Sequence, residues 1–230
     1  MNKIISVGME LEGSFVGNKT GNSRSAWLNQ LAEKHHIHNF QIGEDGSVSV
    51  WGDNDCRDLL NIELRGWIEI ENIERMFDFV KDCFENDFIQ NSTCGNHLHF
   101  RFLNDNAALH TLSIQEVWND FAYQYKKYSE FRTQKYLNRM SNYYCKTDSR
   151  SFENNWKGGD RYSGINITSY AEDHKTLEIR ILPYVITAME WIENAKWLID
   201  TMNDLINSQR VLEYEQEFSK KELGTLVRLI

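Results

Sequence analysis

The sequence predicts an α+β fold in which helices cover one face of an antiparallel sheet. Short strand-like runs alternate with longer stretches whose apolar residues recur at helical spacing. The strand-like runs themselves alternate polar and apolar residues, where a sheet buried on both faces would be nearly solid in Val, Ile and Leu.

Taken in order, "IISVGMELEG" (4–13), "DGSVSVWG" (45–52), "NIELRG" (61–66), "NHLHFRF" (96–102), "YSGINITSY" (162–170) and "KTLEIRIL" (175–182) read as strands. Helices are expected over "SAWLNQLAEKHH", "ENIERMFDFVKDCF", "SIQEVWNDFAYQYKKY" and "TAMEWIENAKWLIDTMNDLI", where Ile73, Phe77, Val80 and Phe84 show the repeat. Ser113 with Glu116, Thr187 with Glu190, and Ser219 with Glu222 have capping-box spacing. Pro183 is the one proline and the glycines are scattered, so no linker stands out and one domain over residues 1–230 is expected.

Composition narrows the class. A chain of 230 residues, 41% hydrophobic and 13% aromatic, can bury a full core. Its formal charge of -9 argues against broad nonspecific binding to nucleic acid or anionic membrane. Cys56, Cys83, Cys94 and Cys145 form no CxxC pair, the N-terminus turns acidic too early for a signal peptide, and no apolar run is long enough for a bilayer. A soluble protein of the reducing cytoplasm is the expectation.

The chemistry lies in the alternation. Glu10 and Glu12 flank Leu11, Glu63 and Arg65 flank Leu64, His97 and His99 flank Leu98 with Arg101 beyond, and Glu178 and Arg180 flank Ile179. Each pair projects from one side of its strand. If the oily sides face the helices, the glutamates, histidines and arginines converge on the opposite surface. Carboxylates so close repel one another unless positive charge sits among them, and divalent cations fill that role. A carboxylate-rich set with an occasional imidazole suits magnesium or manganese, and magnesium is often completed by substrate phosphates, which the neighbouring arginines would also hold. No GxxxxGK[ST] loop is present, so a phosphate site would be built on the sheet.

The ordered motifs "GMELEG", "DGSVSV", "NIELRG", "CGNHLHF", "NRMSNYYC" and "RYSGINITSYAEDHKTLEIRIL" resemble the amidoligase family, carboxylate–amine ligases related to glutamine synthetase and glutamate–cysteine ligase. The resemblance covers about residues 7–185 and leaves 186–230 as C-terminal helices. It implies a funnel of antiparallel strands like the glutamine synthetase catalytic domain, with ATP and two or three magnesium ions, manganese able to substitute. Carried onto this chain, the metal ligands are Glu10, Glu12, Glu63, His97 or His99, and Glu178. Arg180 would contact the transferring phosphoryl group, with Glu63 and Asp45 also placed in the chemistry. Arg65, Arg101, Arg139, Arg161 and Asn166 join Arg180 around the nucleotide. The implied reaction turns a carboxylate into an acyl phosphate, which an amine then attacks to give an amide. The acceptor stays open among a metabolite, a peptide, a protein and a modified nucleobase, with no membrane partner. One departure concerns the acceptor side, where the family often has a Pro-containing segment and this chain has "RGWIEIEN".

Other readings stand beside this one. A metal-dependent hydrolase could use the HxH pair without nucleotide, and a non-catalytic relative could bind nucleotide or nucleic acid. The cluster His35, His36 and His38 closes a helix, where imidazole favours the negative end of the dipole. Cys94 reads as a small buried residue rather than a nucleophile. Asp45 and Ser47 would orient substrate or metal, yet "DGS" is also ordinary turn chemistry. Met189, Trp191, Ile192, Leu198 and Ile199 are expected in the core. From Lys126 to Arg161 nine basic residues face four acidic ones, interleaved with Tyr128, Tyr136, Tyr143, Tyr144, Trp156 and Tyr162. That segment reads either as a solvated basic helix and loop or as a wall of the site that holds phosphates or an anionic acceptor.

Overall fold

The computed structural model describes residues 2–17, 21–49, 59–112, 115–147, 162–168 and 175–207. Its centre is β1 (Ile4–Phe15), which places Val7, Met9, Leu11 and Phe15 in the core and leaves Ser6, Gly8, Glu10 and Glu12 on the reverse. On one side β1 pairs antiparallel with β3 (Leu59–Glu69), which pairs with β2 (His38–Glu44). On the other it pairs with β4 (Phe88–Ile89) and β5 (Gly95–Phe102), and β5 continues through β7 (Leu177–Pro183) to β6 (Ile165–Asn166). The result is a seven-stranded antiparallel sheet in the order β2-β3-β1-β5-β7-β6, with β4 beside β1.

Leu11, Leu64, Leu98, Phe100, Leu177 and Ile179 share one hydrophobic core with side chains of α1 (Gly21–Lys34), α2 (Ile73–Glu85) and α6 (Ala188–Ile206). α2 buries Met76, Phe77, Phe79, Val80 and Cys83, the helical stripe its sequence announces. Three further helices, α3 (Asp105–Leu112), α4 (Gln115–Glu130) and α5 (Gln134–Met140), precede β6 among the described residues. Thr187 caps α6, its hydroxyl accepting from the Glu190 amide at 3.2 Å. The other expected capping pairs involve Ser113 and Ser219, outside the described residues.

Several expectations need correction. β2 was not expected; it begins at His38, two residues after a helix end of Schellman type. There the His36 amide donates to the Glu33 carbonyl and the Ile37 amide to the Ala32 carbonyl, with His36 in the left-handed region at φ 56°. The histidines therefore end the helix by backbone geometry, and His35 is held by Asp82 at 2.8 Å. Residues 45–49, expected as strand, form a turn in which Asp45 accepts from the amide and hydroxyl of Ser47, both at 2.7 Å. Met189 is 60% exposed, because the first turn of α6 points it away from the core that takes Trp191, Ile192, Leu198 and Ile199. No helix among the described residues is long and apolar enough to cross a membrane.

Gly13 marks where the sheet is tightest: a Cβ there would lie 2.4 Å from the Phe88 ring and 2.6 Å from the Ile89 carbonyl. Because backbone cannot move aside cheaply, Gly13→Ala is expected to cost about 1–3 kcal/mol, read as a lower midpoint in chemical denaturation at unchanged slope.

Candidate functional site

Cross-strand register assembles the polar face in rows. Glu12 lies opposite Glu63; Glu10 lies between Arg65 and His97; Gly8 lies between Trp67 and His99; and His99 lies opposite Glu178, itself opposite Asn166. Four strands thus deliver the six expected ligands to one surface. Glu12, Glu63, His97 and Glu178 are buried there, while Glu10 and His99 keep some exposure.

The distances are those of a tightly coupled cluster. His97 Nδ1 is 2.8 Å from Glu10 Oε2 and 3.3 Å from Glu178 Oε1, and its Nε2 is 3.7 Å from Glu12 Oε1. His99 Nε2 is 3.0 Å from Glu10 Oε1, and its Nδ1 is 3.2 Å from the Thr176 hydroxyl. Three overlapping sets have donor atoms within 4.8 Å of one another: Glu10, His99 and Glu178; Glu10, Glu63 and His97; Glu12, Asp45 and Glu63. The turn that removes Asp45 from a strand is what brings it to the last set. Oxygen-rich sets of this kind fit magnesium or manganese.

A further layer orients these carboxylates. The Gly95 amide donates to Glu12 Oε2 at 2.5 Å, and Asn166 Nδ2 donates to Glu178 Oε2 at 2.6 Å, while Asn166 Oδ1 accepts from the Thr168 hydroxyl at 2.5 Å. Asn166, expected at the nucleotide, holds Glu178. Arg65 lies within ion-pair distance of Glu63 and, at 3.8 Å, of Glu10, and Arg180 is ion-paired with Glu178.

Protons are divided unequally within the cluster. Burial alone would raise the Glu10 carboxyl, but hydrogen bonds and charge from His97 and His99 outweigh it and hold Glu10 well below the usual carboxylate range. Glu63 is pushed up to about 8 by burial and by the Glu10 charge, against the pull of Arg65. His99 is desolvated, yet Glu10 pulls its pKa up. One carboxylate stays ionised between two imidazoles while its neighbour takes a proton, a position that a metal ion would contest.

Beside the cluster, a cleft of about 540 Å³ has Ser6 and Gly8 among its lining residues. Its walls include Gln41, Arg65, Trp67, His99, Arg101 and Thr176. A Cβ on Gly8 would come within 3.1 Å of the His99 Cβ, so glycine keeps this part of the cleft open. Arg65 and Arg101 give this wall two guanidinium groups. Trp67, 36% exposed and against His38 with ring centroids 4.5 Å apart, was not anticipated; its alternation with Arg65 in "ELRGW" was the available signal.

The basic segment divides. Tyr136 donates to Glu190 at 2.8 Å and to Asn194 at 2.9 Å, Tyr128 donates to Asn194 at 2.7 Å, Lys135 pairs with Glu190 at 2.7 Å, and Arg132 with Glu193 at 3.0 Å. These side chains fasten α4 and α5 to α6 and make no wall for the site. Arg139 turns to the polar face, its Nη2 donating to the Arg180 carbonyl at 3.1 Å. Arg161, Tyr144 and Trp156 lie outside the residues whose side chains are described. Cys94 is buried, which pushes its thiol up to about 11 and makes it a poor nucleophile.

No family model, no curated protein and no solved structure matches the chain.

The proton division sets a pH dependence. For Glu63, raised from 4.5 to about 8, the contribution to metal-free stability is full below 4.5 and is lost as pH rises through about 8. Glu10 works in the opposite sense, its contribution being present above 4.5 and lost only in strong acid. In chelator, Glu63→Gln is therefore expected to melt higher than wild type at pH 8 and equally at pH 5, whereas Glu10→Gln melts lower at both. Calorimetry of Mn²⁺ binding in buffers of different ionisation enthalpy should show on the order of one proton released at pH 7.

Proposed function

We propose that this chain is an ATP-dependent carboxylate–amine ligase, an amidoligase-like relative of glutamine synthetase built on a funnel of antiparallel strands. The observation that carries the reading is the convergence of Glu10, Glu12, Glu63, His97, His99 and Glu178 on one sheet face, with Arg65 and Arg180 paired into it. The strands that carry "GMELEG", "NIELRG", "CGNHLHF" and "TLEIRIL" are neighbours in one sheet, which supports the reading.

Glu10, Glu12, Asp45, Glu63, Glu178 and the two histidines would hold two or three magnesium ions. Bound magnesium supplies charge neutralisation on the phosphates and on the developing acyl oxyanion. The cleft beside the cluster takes the nucleotide, with Arg65 and Arg101 on its phosphates and Trp67 offering a ring for the base. A substrate carboxylate oxygen attacks the γ-phosphorus, the bond to the bridging oxygen breaks, and ADP leaves. The amine nitrogen then attacks the acyl carbon, the C–O bond to phosphate breaks, and nitrogen gives up a proton as phosphate departs. Arg180, fixed by Glu178, contacts the moving phosphoryl group, where its planar fork matches two oxygens at once.

Product analysis tests this directly. Magnesium-dependent conversion of ATP to ADP and phosphate is expected, stimulated when a suitable carboxylate and amine are both present. AMP and pyrophosphate would mean adenylation, and turnover without nucleotide together with retained zinc would mean a hydrolase using His97 and His99. Arg180→Lys is expected to lower turnover by on the order of 10² while changing nucleotide affinity far less, measured side by side with wild type.

A further inference from the structure

The arginines of the polar face do not share one environment. Arg65 and Arg180 are each ion-paired with a glutamate of the cluster, and Arg101 is exposed on the cleft wall. Arg139 arrives from α5 rather than from the sheet and is 8% exposed. Its Nε is buried with no partner, and no carboxylate lies within ion-pair distance of it among the described residues. Its one hydrogen bond from the guanidinium goes to a neutral carbonyl, that of Arg180. A buried guanidinium with an unpartnered nitrogen and no carboxylate within ion-pair distance is costly, and a bound anion is one of the things that would satisfy it.

Its approach to the sheet depends on one glycine. Gly95 has the same strand parity as His97 and His99, so a side chain there would project over the polar face. A Cβ at Gly95 would lie 2.4 Å from Arg139 Nη2 and 3.0 Å from His97 Nε2. Glycine at this position is what lets the guanidinium reach the face beside His97. Along β5 this point is four residues from His99, where the cleft wall begins, or roughly 13 Å. Along the strands the carboxylate cluster therefore lies between Arg101 at one end and Arg139 at the other.

We infer that Arg139 is the anchor for a carboxylate of the second substrate, bound at the Gly95 end of the cluster and facing the nucleotide across it. The inference rests on the ligase reading for the word substrate, and on Arg139 itself for the site. The guanidinium fork accepts a planar carboxylate in two parallel hydrogen bonds. Phosphate contact is left to Arg65, Arg101 and Arg180.

Thermal-shift titration of the metal-free full chain with acetate, glutarate and inorganic phosphate at constant ionic strength tests this. The variants are Arg139→Met and Arg139→Lys, with calorimetry of a non-hydrolysable magnesium–ATP analogue run in parallel. Wild type is expected to respond saturably to glutarate, and to acetate at higher concentration. Arg139→Lys should raise the half-saturating glutarate concentration by about tenfold or more, and Arg139→Met should abolish the response, with nucleotide affinity changed by less than about threefold in both. If Arg139→Met does not fold, the Arg139→Lys titration decides alone. No saturable carboxylate response in wild type, an unchanged response in Arg139→Lys, or loss of phosphate or nucleotide binding in place of carboxylate binding overturns the proposal. Carboxylate binding that depends on Arg139 in a protein that never cleaves ATP refutes the ligase reading and leaves the anion site standing.

Discussion

The fold depends on one strand serving two opposite environments. β1 buries Val7, Met9, Leu11 and Phe15 among the helices while carrying Glu10 and Glu12 on its other side, and both sets are largely removed from water. Burying an aliphatic side chain contributes about 1.5–3 kcal/mol, whereas burying carboxylates side by side is unfavourable unless charge and hydrogen bonds are returned to them. The neighbours of β1 supply that return. His97 on β5 touches Glu10 directly and sits within 4 Å of Glu12 and Glu178, while the Gly95 amide holds Glu12. The centre of the sheet is thus set by electrostatics on one face and by packing on the other.

Much of this was legible because a strand displays its chemistry with period two. Glu10 and Glu12, Glu63 and Arg65, His97 and His99, and Glu178 and Arg180 each had to share a face, and antiparallel pairing then had to bring the faces together. What the sequence hid follows from tertiary partners. "HNFQIGE" carries no strong alternation because β2 is an edge strand covered on neither face as fully as β1. The tyrosines of the basic segment looked available for stacking, but α6 takes Tyr128 and Tyr136 through Asn194, a residue about 60 positions away. Asp45 lay in a stretch that looked extended, but its bonds to Ser47 and the backbone bond from Val48 to its carbonyl make a turn that brings it to Glu12 and Glu63.

Two glycines shape the face as much as any charge. Gly8 keeps the cleft open between Trp67 and His99, and Gly95 clears room for Arg139 beside His97. Neither is needed for a turn; each marks a place where something other than a side chain of its own strand is to occupy the surface. Asn96, between Gly95 and His97, points the other way and donates to the Pro183 carbonyl at 2.6 Å, while Gln90 donates to Asn96 Oδ1 at 2.9 Å and to the Glu12 carbonyl at 2.6 Å. The strand end that carries Gly95 is therefore pinned from beneath.

That pinning bears on how the site would bind. Carboxylates on flexible side chains must be ordered before they can share an ion, and the loss of rotamer freedom subtracts from affinity. Here Glu178 is already gripped by Asn166 and Arg180, Glu12 by the Gly95 amide, and Glu10 by two imidazoles. A cation bound there would find its ligands close to one another and would displace a proton from Glu63 rather than collect side chains from solvent. The same rigidity sets where a third component can go. With the cluster fixed and its histidines committed to Glu10, the remaining freedom on the polar face lies at its two ends, where Arg101 and Arg139 have no carboxylate within ion-pair distance among the described residues.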